Sequence, residues 1–219
     1  MNKASLWRLV RIPAVISLLV TLLRLTGELS DWSERWFSKE TGGSIPNGVG
    51  WVVGITWLAI PFGVYFGWRL VRMGYGPRSV PKTLALALTG IVIAYGFRFV
   101  VPAIGFPRVL LIVWSIMAVA AAIQYFGWPE LFRSLLLYGI ASRVVVAVVM
   151  FLAMYFNWGT HYDYVGMPPQ FQMPLVPRYL WLAFFPQLVF WVGYTVVIGT
   201  VAGVFPALLM RRGGTAHRE

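Results

Sequence analysis

Charged and hydrogen-bonding side chains set inside long apolar runs are where this sequence can do chemistry. The first set is Ser17, Thr21, Arg24 and Glu28, spaced four, three and four residues apart. That spacing places all four on one helical face. Arg24 and Glu28 form an i,i+4 pair in the weaker, arginine-first order, and Arg24 is also near enough to a helix end to snorkel. Arg143 comes next. It falls in the inner half of an apolar stretch, and no acidic residue occurs in any central stretch. A charge left unpaired in hydrocarbon is costly, so Arg143 is expected to meet backbone carbonyls, Gln124, water or an anion. Gly139 and Ala147, one turn to either side, leave room for it. Arg143, Ala147, Met150, Met154 and Asn157 follow heptad spacing and share a face.

His161 and Asp163 are two residues apart in a loop, an imidazole–carboxylate combination able to hold a proton, orient a ligand or stitch the loop together. Arg98, with Tyr95 three residues before it, lies near a helix C-terminus, where the dipole and the headgroups both favour a cation. Gln187 and Tyr194, seven apart, complete the set. Pro186 denies the Leu182 carbonyl its usual donor, and such an acceptor needs a new partner.

These groups must be carried by membrane helices. Of the 219 residues, 59% are hydrophobic and only 11% charged, against roughly 25% charged in ordinary soluble domains. Mean hydropathy is +0.73. The expected fold is all-α, a polytopic transmembrane helix bundle forming one integral membrane domain. About 20 apolar residues cross the hydrocarbon layer. Six stretches qualify, at about 10–28, 50–72, 82–102, 108–127, 132–157 and 179–210, with long outer loops at 29–49 and 158–178. With both termini cytoplasmic, the inner side holds Lys3, Arg8, Arg11, Arg69, Arg72, Arg78, Lys82, Arg133, Arg211, Arg212 and Arg218. The outer side holds Arg35, Lys39, Arg108 and Arg178. That bias sets the orientation. The first stretch reads as an uncleaved signal anchor, because Arg24 follows its apolar run and no small-x-small site is present.

Composition also excludes chemistry. There is no cysteine, which removes disulfides, Fe–S clusters and thiol catalysis. The two histidines, His161 and His217, fall on opposite sides of the membrane, which argues against a bis-histidine haem or a zinc site. Lys3, Lys39 and Lys82 all lie outside the apolar cores, so a mid-membrane Schiff base has no residue to form on. The net charge of +11 follows from topology and contact with anionic headgroups, and nucleic acid is not an expected partner.

The helices carry their own packing signals. Gly50 and Gly54, Gly63 and Gly67, and Gly199 and Gly203 are G-x-x-x-G pairs, which let backbones approach. Pro61, Pro186 and Pro206 are expected to kink their spans or break a turn. After the first span, Asp31 and Glu34 resemble a capping box, and Leu29, Trp32 and Trp36 share a face, which predicts a short interfacial helix. The proline-rich run from Met167 to Pro177 stiffens the second long loop.

Most of the polar groups cluster in the outer half. The leading expectation is therefore a protein that binds or transports a small anion or anionic lipid in an outward-facing, arginine-lined pocket. Its residues are Arg24, Glu28, Arg98, Arg143, Asn157, His161, Asp163, Gln187 and Tyr194. The alternative is a non-catalytic accessory or scaffold subunit of a larger membrane complex, or a homo-oligomer, joined through its glycine-paired helices. An enzyme using His161 and Asp163 as acid and base ranks last, because no nucleophile or metal set accompanies them. No catalytic residue, cofactor or metal is expected. The expected location is the cell membrane, of the bacterial inner-membrane type.

Overall fold

The computed structural model describes residues 3–39, 50–100, 108–163 and 171–215. All regular structure among them is helical. Four stretches are long and apolar enough to cross a membrane: Lys3–Leu29, Arg108–Phe126, Pro129–Phe156 and Leu175–Met210. The first is α1, and the third is α5. The second joins α4 (Arg108–Ala122) to a 3-10 turn, Ile123–Phe126. Two further helices, α2 (Ala59–Arg72) and α3 (Val80–Val100), lie between α1 and α4.

Burial is inverted relative to a water-soluble protein. Ile12, Val15, Leu19, Val92, Val148, Phe205 and Leu209 point outward, whereas Ser17, Thr21, Glu28, Gln124, Arg143, Gln187 and Thr195 are buried. Lipid is the solvent that favours this arrangement, because polar groups there must find partners inside the protein. The chain has the architecture of a membrane protein.

The prolines shape the helices in three different ways. The stretch expected as one helix over 50–72 starts with 3-10 turns at Gly50–Val53 and Thr56–Leu58, and the α-helix begins only at Ala59. Pro61 sits in its first turn, where its missing N–H is no loss. The last stretch begins earlier than 179, with α6 (Leu175–Tyr179) following Pro174. Around Pro186 the helix widens into π turns, Leu180–Phe184 and Pro186–Trp191, before α7 (Val192–Thr215). Pro206, by contrast, lies within α7, and Pro13 within α1.

The segment after α1 is not the expected interfacial helix. Asp31 takes a left-handed conformation (φ 50°) that ends the helix, and only a single turn forms at Ser33–Phe37. Asp31 pairs with Lys39 rather than capping Glu34's turn. Phe37 folds back onto Gly27, with Trp32 edge-on to its ring at 5.2 Å. Apolar packing of this kind outweighs the weak capping preference of two acidic residues.

α2 and α7 make the most extensive helix–helix contact among the described residues. A Cβ on Gly63 would strike the Gly199 backbone, and one on Gly67 the Gly203 carbonyl. The two G-x-x-x-G pairs therefore face each other, 63 against 199 and 67 against 203, and the helices run parallel. α1 packs on α5, also in parallel, with Ser17 hydrogen-bonded to Tyr138 at 2.8 Å. α3 meets α4 where Gln124 lies over Gly90 and donates to the carbonyls of Leu86 (3.1 Å) and Ala120 (2.9 Å). At one end of the bundle, Trp128 Nε1–H donates to the Tyr75 carbonyl and Thr83 to the Gly127 carbonyl. These ties bring the starts of α3 and α5 and the finish of α2 to the same end, and the parallel packing of α1 on α5 puts the start of α1 there too.

Candidate functional site

The polar stripe of α1 turns inward. Ser17, Thr21 and Glu28 are all buried, and Glu28 is 0% exposed. Such a carboxylate needs full compensation. Arg24 Nε donates to Oε1 at 2.8 Å. The backbone N–H of His161 donates to Oε2 at 3.0 Å, and His161 Nδ1 lies 2.5 Å from Oε1. The loop after α5 is thus fastened onto the end of α1.

Asp163 shapes that loop. Its carboxylate accepts from the N–H groups of Gly159 (2.8 Å) and Thr160 (2.6 Å) and from the Thr160 hydroxyl (2.9 Å). Gly159 supplies the left-handed step (φ +69°) on which this turn depends. The structure therefore corrects the expected His161–Asp163 pair. Asp163 is committed to its own turn, and the carboxylate partner of His161 comes from α1.

Burial pushes the His161 imidazole below its ordinary value, Glu28 pulls it back up and Arg24 lowers it again. A neutral imidazole beside Glu28 leaves one cation and one anion in the cluster. A second proton on the ring would leave a net positive charge in a poorly hydrated place. Next to it Tyr162 is buried, with its hydroxyl 3.4 Å from the Thr21 carbonyl. Burial raises the Tyr162 phenol well above its usual value, and it lies within electrostatic reach of Arg24, Glu28 and Arg143.

The second group is built on Arg143, at the middle of α5 and 4% exposed. Nη1 donates to Gln187 Oε1 and Nη2 to Thr56 Oγ1, both at 3.3 Å. The guanidinium carbon stands 5.1 Å from the centroid of the Trp191 ring, a cation–π arrangement. Nε has no partner. Among the described residues, no carboxylate lies within ion-pair distance of Arg143. Gln187 reaches it from the π-helical turn that follows Pro186, a local widening often found at functional positions. Its amide nitrogen contacts Met150 Sδ at 3.4 Å.

No protein-family model, curated protein or solved structure matches this chain. Function must be read from the geometry of the site.

Arg24, Glu28 and His161 are brought together at the end of the bundle, and Arg143 and Gln187 deeper inside. Tyr194 is half-buried and joins the second group through the Trp191 ring, 5.6 Å away. Asn157 is not brought in. It caps α5 in a left-handed conformation (φ 53°) and is exposed, so the heptad face ends at Met154. The Arg98 side chain and His217 lie outside the described residues. Gln124 does not serve Arg143: its amide nitrogen is bound to the α3 and α4 carbonyls, its Oε1 is buried without a partner, and the Arg143 guanidinium donates to Gln187 and Thr56 instead. Thr56 and Trp191, which contact Arg143, and Tyr138 and Tyr162, which bond the α1 stripe, had not stood out in the sequence. Tyr162 had a visible signal, its place beside His161. Thr56 had none, because nothing local ties it to a residue 87 positions away. Among the described residues, no group of three His, Asp or Glu side chains is placed to hold a metal ion.

Proposed function

We propose that this chain is a six-span membrane protein that binds or carries a small anion, or the headgroup of an anionic lipid, at Arg143. The ligand would enter from the end of the bundle at which α1 and α5 finish. The observation that carries the reading is a buried arginine whose described partners are all neutral. Its two hydrogen bonds are long, and exchanging them for charge-assisted bonds to an anion is favourable. Arg24 and His161 would form the rim, and Gln187 and Tyr194 the walls. In this reading α2 and α3 also cross the membrane, both termini are cytoplasmic, and the site opens outward in a bacterial inner membrane.

The test is thermal unfolding of the purified protein in detergent with phosphate, sulfate or acetate against a neutral osmolyte. An anion that raises the melting temperature in the wild type, and does nothing for a folded Arg143→Leu variant, supports the reading. An undiminished anion response in that variant removes Arg143 from the site. Orientation is checked separately by labelling single cysteines introduced into a chain that has none of its own. The accessory-subunit reading is weaker, because Gly199 and Gly203 are occupied by Gly63 and Gly67 of the same chain.

A further inference from the structure

On the exterior of the α2–α7 pair, lined neither by Arg143 nor by its partners Thr56, Gln187 and Trp191, runs an open groove of about 420 Å³. Its walls are Pro61, Val64, Tyr65 and Trp68 from α2, and Phe205, Pro206, Leu209 and Met210 from α7. Apart from the Tyr65 hydroxyl and the Trp68 indole N–H, none of these side chains offers a hydrogen-bonding group. The glycine contacts hold the two backbones together, so the groove floor is a fixed feature of the fold. Trp68, Phe205 and Leu209 are exposed, and α7 continues a stretch apolar enough to cross a membrane. The groove therefore faces hydrocarbon.

Its polar end is basic. Arg69 and Arg72 occupy the last turn of α2, both exposed. The Arg72 guanidinium lies 4.7 Å from the centroid of the Trp68 ring, which is itself a wall of the groove. Among the described residues, no carboxylate lies within ion-pair distance of either arginine. An apolar channel with uncompensated guanidinium groups at one end complements a molecule with an acyl chain and an anionic head.

We infer that the α2–α7 groove is a binding site for an anionic phospholipid, with an acyl chain along Val64, Trp68, Phe205 and Leu209 and the phosphate at Arg69 and Arg72. The site is separate from Arg143 and stands whether or not an anion binds there. It also accounts for Arg72 resting on an aromatic wall instead of a carboxylate: the stacked guanidinium still presents its N–H edge to a phosphate.

The test is native mass spectrometry of the full chain in detergent, with equal amounts of phosphatidylglycerol and phosphatidylcholine carrying the same acyl chains. Several-fold preferential retention of phosphatidylglycerol is expected. R69Q/R72Q, a surface change that leaves the core untouched, should equalise the two lipids, and Val64→Trp should lower retention of both. Equal retention by the wild type overturns the inference, as does a preference that survives R69Q/R72Q. Arg143→Leu should keep the preference, and its loss there would move the lipid to Arg143 and sink this assignment. A Val64→Cys variant that forms disulfide-linked dimers in membranes would assign the groove to a second copy of the chain and likewise overturn it.

Discussion

His161 Nδ1 and Glu28 Oε1 lie 2.5 Å apart, joining residues separated by 133 positions at the end of the bundle. The contact turns the loop after α5 into part of the α1 surface. Because burial lowers the imidazole below its ordinary value of 6.5, the unfolded chain binds this proton more readily than the folded one. His161 thus contributes stability that is complete above that value and declines as the pH falls below it. The melting temperature in detergent is expected to hold above about pH 7 and to drop as the pH falls from there to about 5, the range in which the unfolded chain's histidine charges. His161→Gln, which keeps a donor but cannot charge, should show a smaller drop. An identical drop in the variant would locate the titration elsewhere.

Glu28 is the acceptor shared by Arg24 and His161, so its removal should be felt on both elements. Glu28→Ala is expected to destabilise the protein by about 3 kcal/mol, the scale found when one partner of a buried ion pair is deleted. Hydrogen exchange should show the 159–163 turn losing protection while the middle of α5 keeps it. If exchange in that turn is unchanged, the loop is held by something other than Glu28.

Arg143 is bonded to Gln187 and not to Gln124, which double-mutant cycles can test. Arg143→Met and Gln187→Leu should be coupled by about 1 kcal/mol or more, as contacting residues commonly are. Arg143→Met and Gln124→Leu should add to within about 0.5 kcal/mol, as independent sites do. A strong coupling to Gln124 would reverse the assignment.

Gly67 tests the contact between α2 and α7. A methyl there meets the Gly203 carbonyl, so Gly67→Ala must force the backbones apart and is expected to cost about 2 kcal/mol, the range for overpacking a close contact. Gly96→Ala in α3 meets nothing within 4 Å and should stabilise its helix by about 0.5 kcal/mol through propensity alone. Comparing the two melting curves separates crowding from the general preference of helices for alanine.

Much of this arrangement is legible in the residues themselves. The Ser17–Thr21–Arg24–Glu28 face, the Arg24–Glu28 pair and the close-packing role of the Gly63–Gly67 and Gly199–Gly203 pairs all follow from i,i+4 geometry, which a helix imposes locally. What the sequence conceals is which local feature meets which distant one. Nothing in residues 157–163 announces that Asp163 is consumed by its own turn and that His161 is left for α1. Gln124 and Gln187 are equally plausible partners for Arg143 until the helices are placed. The left-handed residues Asp31 and Asn157 escape for another reason, because a single backbone dihedral ends a periodic pattern that side-chain types alone would continue.

The α2–α7 contact has a consequence for how the chain is made. α2 is only 14 residues long, and its glycine face is matched by a helix that lies far downstream. During synthesis α2 leaves the ribosome well before its partner exists, with bare backbone where Gly199 and Gly203 will later lie. The order of translation therefore makes the arrival of α7 a late step of assembly, and any chain stopped before it would be left with the Gly63–Gly67 face of α2 uncovered.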